Sequence, residues 1–508
     1  MTITTRARGR KRDERDEYVD VLIVGAGISG IGTASRLKSR LPDKSFLILD
    51  ARENIGGTWD LFRYPGLRSD TDAQNFGYES KPWRGERALA DGSEILGYLQ
   101  ETVAENNLAP HLRLGWKALA AEWSSEQGLW TVQLSRSASA EASTVQCRWL
   151  FGATGYYDHE EGHRPHFETE ERFQGQIIHP QHWPDDLDYT DKKVVIIGSG
   201  ATAITLVPAM APDAAQVTML QRSPTYVISL PSRDVLTVTL QTLLPEALSY
   251  RAIRRINRDR LAVIYALSRR YPDLMRALVR WTNKRALPKG YPVDEHFRPH
   301  YNPWEERMCF ARDADFFKAI SDGSASVVTG QIARFTEHGV KLTTGDHLEA
   351  DIIVTATGLR MMPLRAMALT VDGAAIDVAD TVIYKSMMLS GVPNFAFAFG
   401  YTNAAWTLKV DLVAEHLCRL LAHMDSAGQA VATPVANDPT LELTPMVDFR
   451  AGYVQRAMDT LPRRGSHGPW SMEQDYRMDR DRLLQGPLED PALRLSSVDQ
   501  KNHLPKVS

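Results

Sequence analysis

Cysteine is scarce, with only Cys147, Cys309 and Cys418 in a chain of 508 residues. Odd in number and far apart, they exclude a disulfide framework and lack the paired spacing of a cysteine metal site. A reducing, cytoplasmic location is expected. Long apolar runs are also missing. None reaches the roughly 18 uninterrupted residues that a membrane-crossing helix needs, so any membrane association is expected to be peripheral. The N-terminus has no apolar stretch of signal-peptide type. Residues 6–17 mix six basic with four acidic side chains, and 1–17 are expected to be a disordered, solvated tail. Net charge is nearly absent: 59 Lys and Arg against 63 Asp and Glu leave −4. That removes the chain-wide basic footprint of a non-specific nucleic-acid binder, so no nucleic-acid partner is expected. With 43% hydrophobic and 24% charged residues the chain is in the globular range. At roughly 150 residues per domain the length suggests two to four domains.

What is present starts with a run from Val19 to Val24, β-branched and apolar, that leads directly into Gly25-Ala-Gly27-Ile-Ser-Gly30 and then a helical pattern from Ile31 to Leu41. In such a turn the first glycine permits the tight bend. The second lets the backbone approach a pyrophosphate, and the third lets helix and strand pack closely. Phosphates gather at the helix N-terminus, where unpaired N–H groups and the dipole favour anions. A second strand, Ser45 to Leu49, ends in Asp50, about 20 residues past the last glycine, where a carboxylate accepts from ribose hydroxyls. Strand, turn, helix and acid complete a dinucleotide-binding fingerprint.

The pattern recurs at Val194–Ile197, Gly198-Ser-Gly200-Ala-Thr-Ala203 and a strand from Val217 to Arg222. Here the strand end carries Arg222 in place of an acid. A guanidinium pairs with a 2′-phosphate that a carboxylate would repel, so this site is expected to take NADPH. Two folds of opposite preference imply electron transfer between two dinucleotides, and the acidic first site suits FAD. Alternating runs at Trp130–Leu134 and Val145–Phe151 read as a β-meander between the folds. The meander ends in Ala-Thr-Gly155 and a later buried-type strand, from Asp351, in Ala-Thr-Gly358, and at each the chain is expected to leave one fold for the other. The predicted class is α/β: two discontinuous Rossmann-like dinucleotide-binding domains, for FAD and NADPH, with a helical insertion. The expected boundaries are 18–158 with 359–508 for FAD, 159–231 with 307–358 for NADPH, and 232–306 for the insertion.

Three further stretches carry a resemblance. Phe173-Gln-Gly175-Gln-Ile-Ile-His179-Pro-Gln-His-Trp183-Pro184 resembles the fingerprint of the class I flavoprotein Baeyer–Villiger monooxygenases. Gly56-Gly57-Thr58-Trp59 and Arg63 to Asp70 resemble the flavin-side loop of that group. Tyr301-Asn-Pro-Trp-Glu-Glu-Arg307-Met-Cys309 is similar to the strand that brings its active-site arginine to the flavin. The resemblance spans residues 18 to 470 and is strongest to the branch of ethionamide-activating and long-chain alkane monooxygenases. It implies that NADPH reduces FAD, O2 adds to the flavin C4a, and the resulting peroxyflavin attacks the carbonyl of a hydrophobic ketone to give an ester or lactone, with sulfoxidation as a companion activity. The alternatives are a flavin monooxygenase acting mainly on sulfur or nitrogen of sulfides, thioamides or amines, and one acting in long-chain alkane degradation.

By motif position the resemblance makes Arg307 the cation that faces the anionic oxygen, a task for a group that keeps its proton. Asp70 is then the carboxylate that orients it. His179 is expected at a domain junction, coupling closure to NADPH binding, and Trp183 in packing. Asn403, after the strand-like run from Gly391, is expected near the flavin ring. Departures from the relatives' pattern at Ala311–Asp315 and Met361–Leu364 are expected to line the substrate pocket. From Arg251 to Lys289 twelve basic and two acidic residues surround apolar runs. This segment reads as helices that pack on the core or a second subunit with their arginines solvated, or that lie on a membrane surface. No internal repeat besides the two nucleotide folds is visible, and residues beyond about 485 are expected to be loosely held.

Overall fold

The computed structural model describes residues 17–498 other than 86, 138, 140, 307, 363, 365 and 366. Its fold is α/β, built on two sheets. In the first, the strands Glu17–Val24, Phe46–Asp50, Leu112–Leu114, Ala142–Gly152 and Phe395–Phe397 run parallel, the central ones buried over most of their length. Their near-continuous apolar character follows from being covered on both faces. The helix Ile28–Arg40 lies on one side, beside the long helix Trp406–Ser426. An antiparallel meander, Trp116–Ser124 and Leu129–Arg136, extends the same sheet. It buries Trp123 against Trp130, and Trp130 in turn against Phe395.

The second sheet has the order Gln176–Ile178, Ile352–Thr355, Lys193–Ile197, Gln216–Gln221, Ala325–Thr329, all parallel. The chain crosses between the two units twice. The crossings, Tyr157–Gly162 and Leu359–Met361, pair with each other as an antiparallel ribbon. Between the strands Tyr226–Leu230 and Met308–Arg312 stand three longer helices, Val235–Leu243, Glu246–Arg270 and Pro272–Ala286, and a single turn of helix at Val293–His296.

Several details depart from the sequence reading. Glu17, placed in the tail, is the first residue of a strand and pairs with Val145; residues 1–16 lie outside the described residues. Part of the stretch expected to be loose is held: Leu493–Ser496 pairs antiparallel with Val431–Pro434, and Leu493 is buried, while residues 499–508 lie outside the described residues. The arginines of the inserted helices are not all solvated. Arg254 is largely buried and donates to the backbone carbonyls of Gln74 and Gly77 and to Asp411, while the Tyr250 hydroxyl donates to the Tyr78 carbonyl at 2.7 Å. The long inserted helix is thereby fastened to the first unit, not only to the second. The three cysteines are free and buried.

Candidate active site

The first glycine turn joins the strand Glu17–Val24 to the helix Ile28–Arg40. Gly25 adopts φ +117°, and a Cβ there would meet the Ala153 carbonyl oxygen at 2.3 Å, so only glycine lets the two strand ends converge. A Cβ on Gly30 would lie 1.8 Å from the Gly25 carbonyl oxygen, which fixes how closely helix and strand pack. Gly57 (φ +56°) approaches Gly27 backbone to backbone: a Cβ on Gly57 would stand 3.1 Å from the Gly27 Cα. Asp50 ends its strand beside this turn. Its Oδ2 accepts the Ala26 N–H at 2.7 Å and its Oδ1 the Arg52 N–H at 2.9 Å.

One cavity of about 700 Å³ runs from this turn through the molecule. It touches Gly25, Gly27, Asp50, Gly57, Thr58 and Trp59, then Asp70, and then Asn403 and Trp406. It ends against Ala201 and Thr202, the first residues of the helix that follows the second glycine turn. Two helix N-termini, each preceded by a glycine turn, thus open on a single space. Asp70 lies within the short strand Arg68–Asp72 and faces this space. Asn403 is held by its Nδ2 donating to the Gln474 carbonyl at 3.0 Å.

In the second turn Gly198 adopts φ +133°, with the Ala356 carbonyl oxygen 2.2 Å from where a Cβ would be. Gly200 has open space before it, and Ala203 is buried under the helix. Arg222 follows the strand Gln216–Gln221 and is exposed. Burial holds the nearby Glu306 carboxyl above its ordinary range, and the Arg222 charge offsets this only in part. The strand expected to carry Arg307 begins at Met308, and Arg307 itself lies outside the described residues.

The Phe173–Trp183 stretch does not line the cavity. Phe173 is buried edge-on against Phe335, and Gly175 sits tight against the Asp351 carbonyl. Trp183 packs on the core of the second unit. His179 lies at the crossings: its ring fills the space beside Gly162, where a Cβ would stand 1.9 Å from it, and its Nδ1 accepts the Gln181 N–H at 3.2 Å. Burial lowers its pKa, so the ring is neutral near pH 7.

Of the departures expected at the pocket, Met361 lines it but Ala311–Asp315 do not. Ala311 is core, Arg312 pairs with Asp91, and Asp315 pairs at 2.6 Å with Arg68, whose side chain is buried. These residues tie the two units together. The wall that sequence reading missed is aromatic and apolar. Tyr156 stacks on Trp406 with ring centroids 5.0 Å apart and accepts from the Tyr157 hydroxyl, and the Trp406 Nε1 donates to Ser29. Tyr401 also faces the cavity, anchored from behind by Asp479, which pairs at 2.5 Å with the wholly buried Lys409. Leu261, Ile264 and Met275 of the inserted helices close the far side. A Tyr-Tyr pair following Ala-Thr-Gly was the only local signal for this wall. Its other members, Leu261, Ile264, Met275, Tyr401 and Trp406, lie far beyond that pair in sequence.

The described residues contain no cluster of His, Cys, Asp and Glu able to hold a metal ion. The geometry instead fits a flavin dinucleotide: a backbone cradle that a Cβ would fill, a carboxylate at the ribose position, and a deep, largely apolar extension.

Comparison with known proteins agrees. Residues 23–84 match the NAD(P)-binding Rossmann-like domain and residues 87–265 the flavin-binding monooxygenase-like family. The chain is 47% identical over 481 residues to the FAD-containing monooxygenase EthA of Mycobacterium tuberculosis, covering 94% of this chain and 98% of that protein. It is 45% identical over 499 residues to the "Probable FAD-binding monooxygenase AlmA" of Acinetobacter baylyi, covering 97% and 100%. Among solved structures, a steroid monooxygenase bound to NADP superposes with a TM-score of 0.76 at 22% identity, covering 94% of this chain and all of that one.

Proposed function

Because the chain belongs to the family of FAD-containing monooxygenases, we propose that it is an NADPH-dependent Baeyer–Villiger enzyme that inserts one oxygen atom of O2 into hydrophobic ketones and also oxidises sulfides. The balance is ketone, O2, NADPH and a proton giving ester or lactone, NADP⁺ and water. The carrying observation is the single cavity that meets the first glycine turn and the first residues of the helix after the second, and continues into an apolar, aromatic chamber.

FAD supplies the chemistry when bound, taking two electrons from NADPH and delivering them to O2. The protein's residues bind, orient and exclude water. The amides of the Gly25–Gly30 turn and the helix dipole hold the pyrophosphate, and Asp50 takes the ribose hydroxyls. Gly57, Thr58, Trp59 and Asn403 frame the ring end. The first unit is therefore assigned to FAD. The second holds NADPH, with the Gly198–Ala203 turn at its pyrophosphate and Arg222 at its 2′-phosphate. Asp70 and, by its place in the Tyr301–Cys309 motif, Arg307 are assigned to the oxygen-transfer centre. A guanidinium cannot surrender its proton there, so it stabilises negative charge that develops on oxygen. His179, neutral and packed at the crossings, is assigned to coupling the motion of the two units and not to proton transfer.

The test is Arg307→Ala. Ketone oxygenation should fall roughly 10²–10³-fold, the range for loss of a preorganised electrostatic contact, with FAD still bound and NADPH still oxidised without product. Ester formation near the wild-type rate would overturn the assignment. A panel of aliphatic ketones, aryl sulfides and thioamides, with product and NADPH consumption measured separately, ranks ketone against sulfur chemistry. Faster turnover of thioamides or sulfides than of every ketone would favour the S-oxygenating reading.

A further inference from the structure

Of the eighteen large hydrophobic side chains that stand exposed among the described residues, twelve lie on the three inserted helices and two more, Leu244 and Tyr271, at their ends. They form stripes at helical spacing. Leu248, Ile256, Val263 and Leu267 follow one side of Glu246–Arg270; Leu274, Leu278 and Trp281 follow one side of Pro272–Ala286. Leu274 is 70% exposed and Trp281 54%. The opposite side of the long helix is already spoken for by the buried Tyr250, Ile253 and Asn257. An apolar face of this extent in water marks a surface that meets a partner.

The charge around that face selects the partner. Residues 251–289 hold twelve basic and two acidic side chains, while the rest of the chain is acidic in balance. The exposed Arg269 and Arg270 close the long helix, and Lys284 and Arg285 close the next. Two of these cations stand over exposed aromatic rings: the Arg285 guanidinium is 4.7 Å from the Trp281 ring centroid and that of Arg270 is 5.8 Å from Tyr271. Aromatic rings paired with cations that snorkel outward characterise the boundary between acyl chains and headgroups. A second copy docking two-fold on the same face would set this basic rim against itself. No helix among the described residues is long and apolar enough to cross a membrane, so contact would be in the plane of the surface.

We propose that the three inserted helices dock the enzyme on an anionic lipid surface, apolar stripes immersed and basic rim on the headgroups. The same helices form the cavity wall beneath that surface. Ile264 both lines the cavity and is 41% exposed, with Leu261 and Met275 lining the wall beside it. A ketone dissolved in the bilayer would then pass from lipid into the chamber without crossing water. This route rests on the proposed reaction. The docking does not, because it is measured without substrate.

The experiment is co-sedimentation of the FAD-loaded enzyme with phosphatidylcholine vesicles, with and without phosphatidylglycerol. Binding should require phosphatidylglycerol and weaken as salt rises. The double variant Leu274→Asp, Trp281→Asp should lower the partition coefficient about tenfold or more, since it removes two immersed side chains. Arg269→Glu with Arg270→Glu should weaken binding with the apolar face intact. FAD content and melting temperature, unchanged in both, show that the fold persists. Failure of the wild type to bind phosphatidylglycerol vesicles at low salt, or equal binding by the variants, overturns the proposal. So does sedimentation velocity showing a wild-type dimer that the Asp variant converts to monomer, without vesicle binding; the occupant would then be a second copy.

Discussion

Asp50 Oδ2 accepts the Ala26 N–H at 2.7 Å, so the acid at the end of one strand fastens the glycine turn that follows its neighbour. The residue expected to hold a ribose also shapes the phosphate cradle. Asp50→Ala removes both functions and leaves a buried N–H without this acceptor, a cost of about 1–3 kcal/mol. Purified Asp50→Ala should carry substoichiometric FAD, with a dissociation constant raised roughly ten- to a hundredfold by flavin fluorescence titration. Full flavin content with unchanged affinity would remove Asp50 from cofactor binding.

Arg222 stands exposed at the end of the second unit's strand. Losing a charge-assisted contact to phosphate costs roughly 1.5–3 kcal/mol. Arg222→Ala should therefore raise KM for NADPH about ten- to a hundredfold with little change in kcat, and leave KM for NADH nearly as it was. Steady-state kinetics with both cofactors checks this, and an unaltered NADPH-to-NADH preference would refute it.

Tyr156 is half-buried between Trp406 and the cavity. Tyr156→Ala enlarges the chamber at its aromatic wall and costs about 1–3 kcal/mol of stability, less than a fully buried aromatic would. The optimum in kcat/KM across ketones of increasing chain length should move to bulkier substrates. An unmoved optimum would place the substrate elsewhere in the cavity.

His416 is buried, with Nδ1–H donating to the Leu483 carbonyl at 2.7 Å, and burial brings its pKa down to about 4. In the unfolded chain it titrates near ~6.5. Above that pH it is neutral in both states and its contribution to stability is complete. As pH falls through the unfolded value and on through the folded one, the unfolded chain binds the proton first and stability is lost, by roughly 2–4 kcal/mol at most. His416→Gln should flatten the fall in melting temperature between pH 6.5 and 4. An identical slope in the variant would exclude His416 as a source.

The nucleotide-binding elements were readable because their information is local. Gly25, Gly27, Gly30 and Asp50 fall within one strand–helix–strand unit, and each glycine answers a backbone approach that neighbouring residues impose. Arg254 was misread as solvated because helical periodicity reports which face of a helix is apolar, not what packs on it. Its partners, Gln74, Gly77 and Asp411, come from distant parts of the chain. A departure from the relatives' pattern at Ala311–Asp315 points to the pocket, whereas Asp315 turns to pair with Arg68. The end of the chain was read as loose because a four-residue strand has no signature until Val431–Pro434 is placed beside it.

By itself the sequence determined two dinucleotide-type folds, the opposite charges that follow their second strands at Asp50 and Arg222, and the basic character of the inserted helices. These follow from steric and electrostatic demands that act over a few residues. Only the tertiary structure decided that the helix N-termini following both glycine turns open on one cavity, that Tyr156 and Trp406 wall it, and that the inserted helices turn their apolar stripes outward. Those are properties of packing between segments far apart in the chain, set by which faces must be buried once every element competes for the same core.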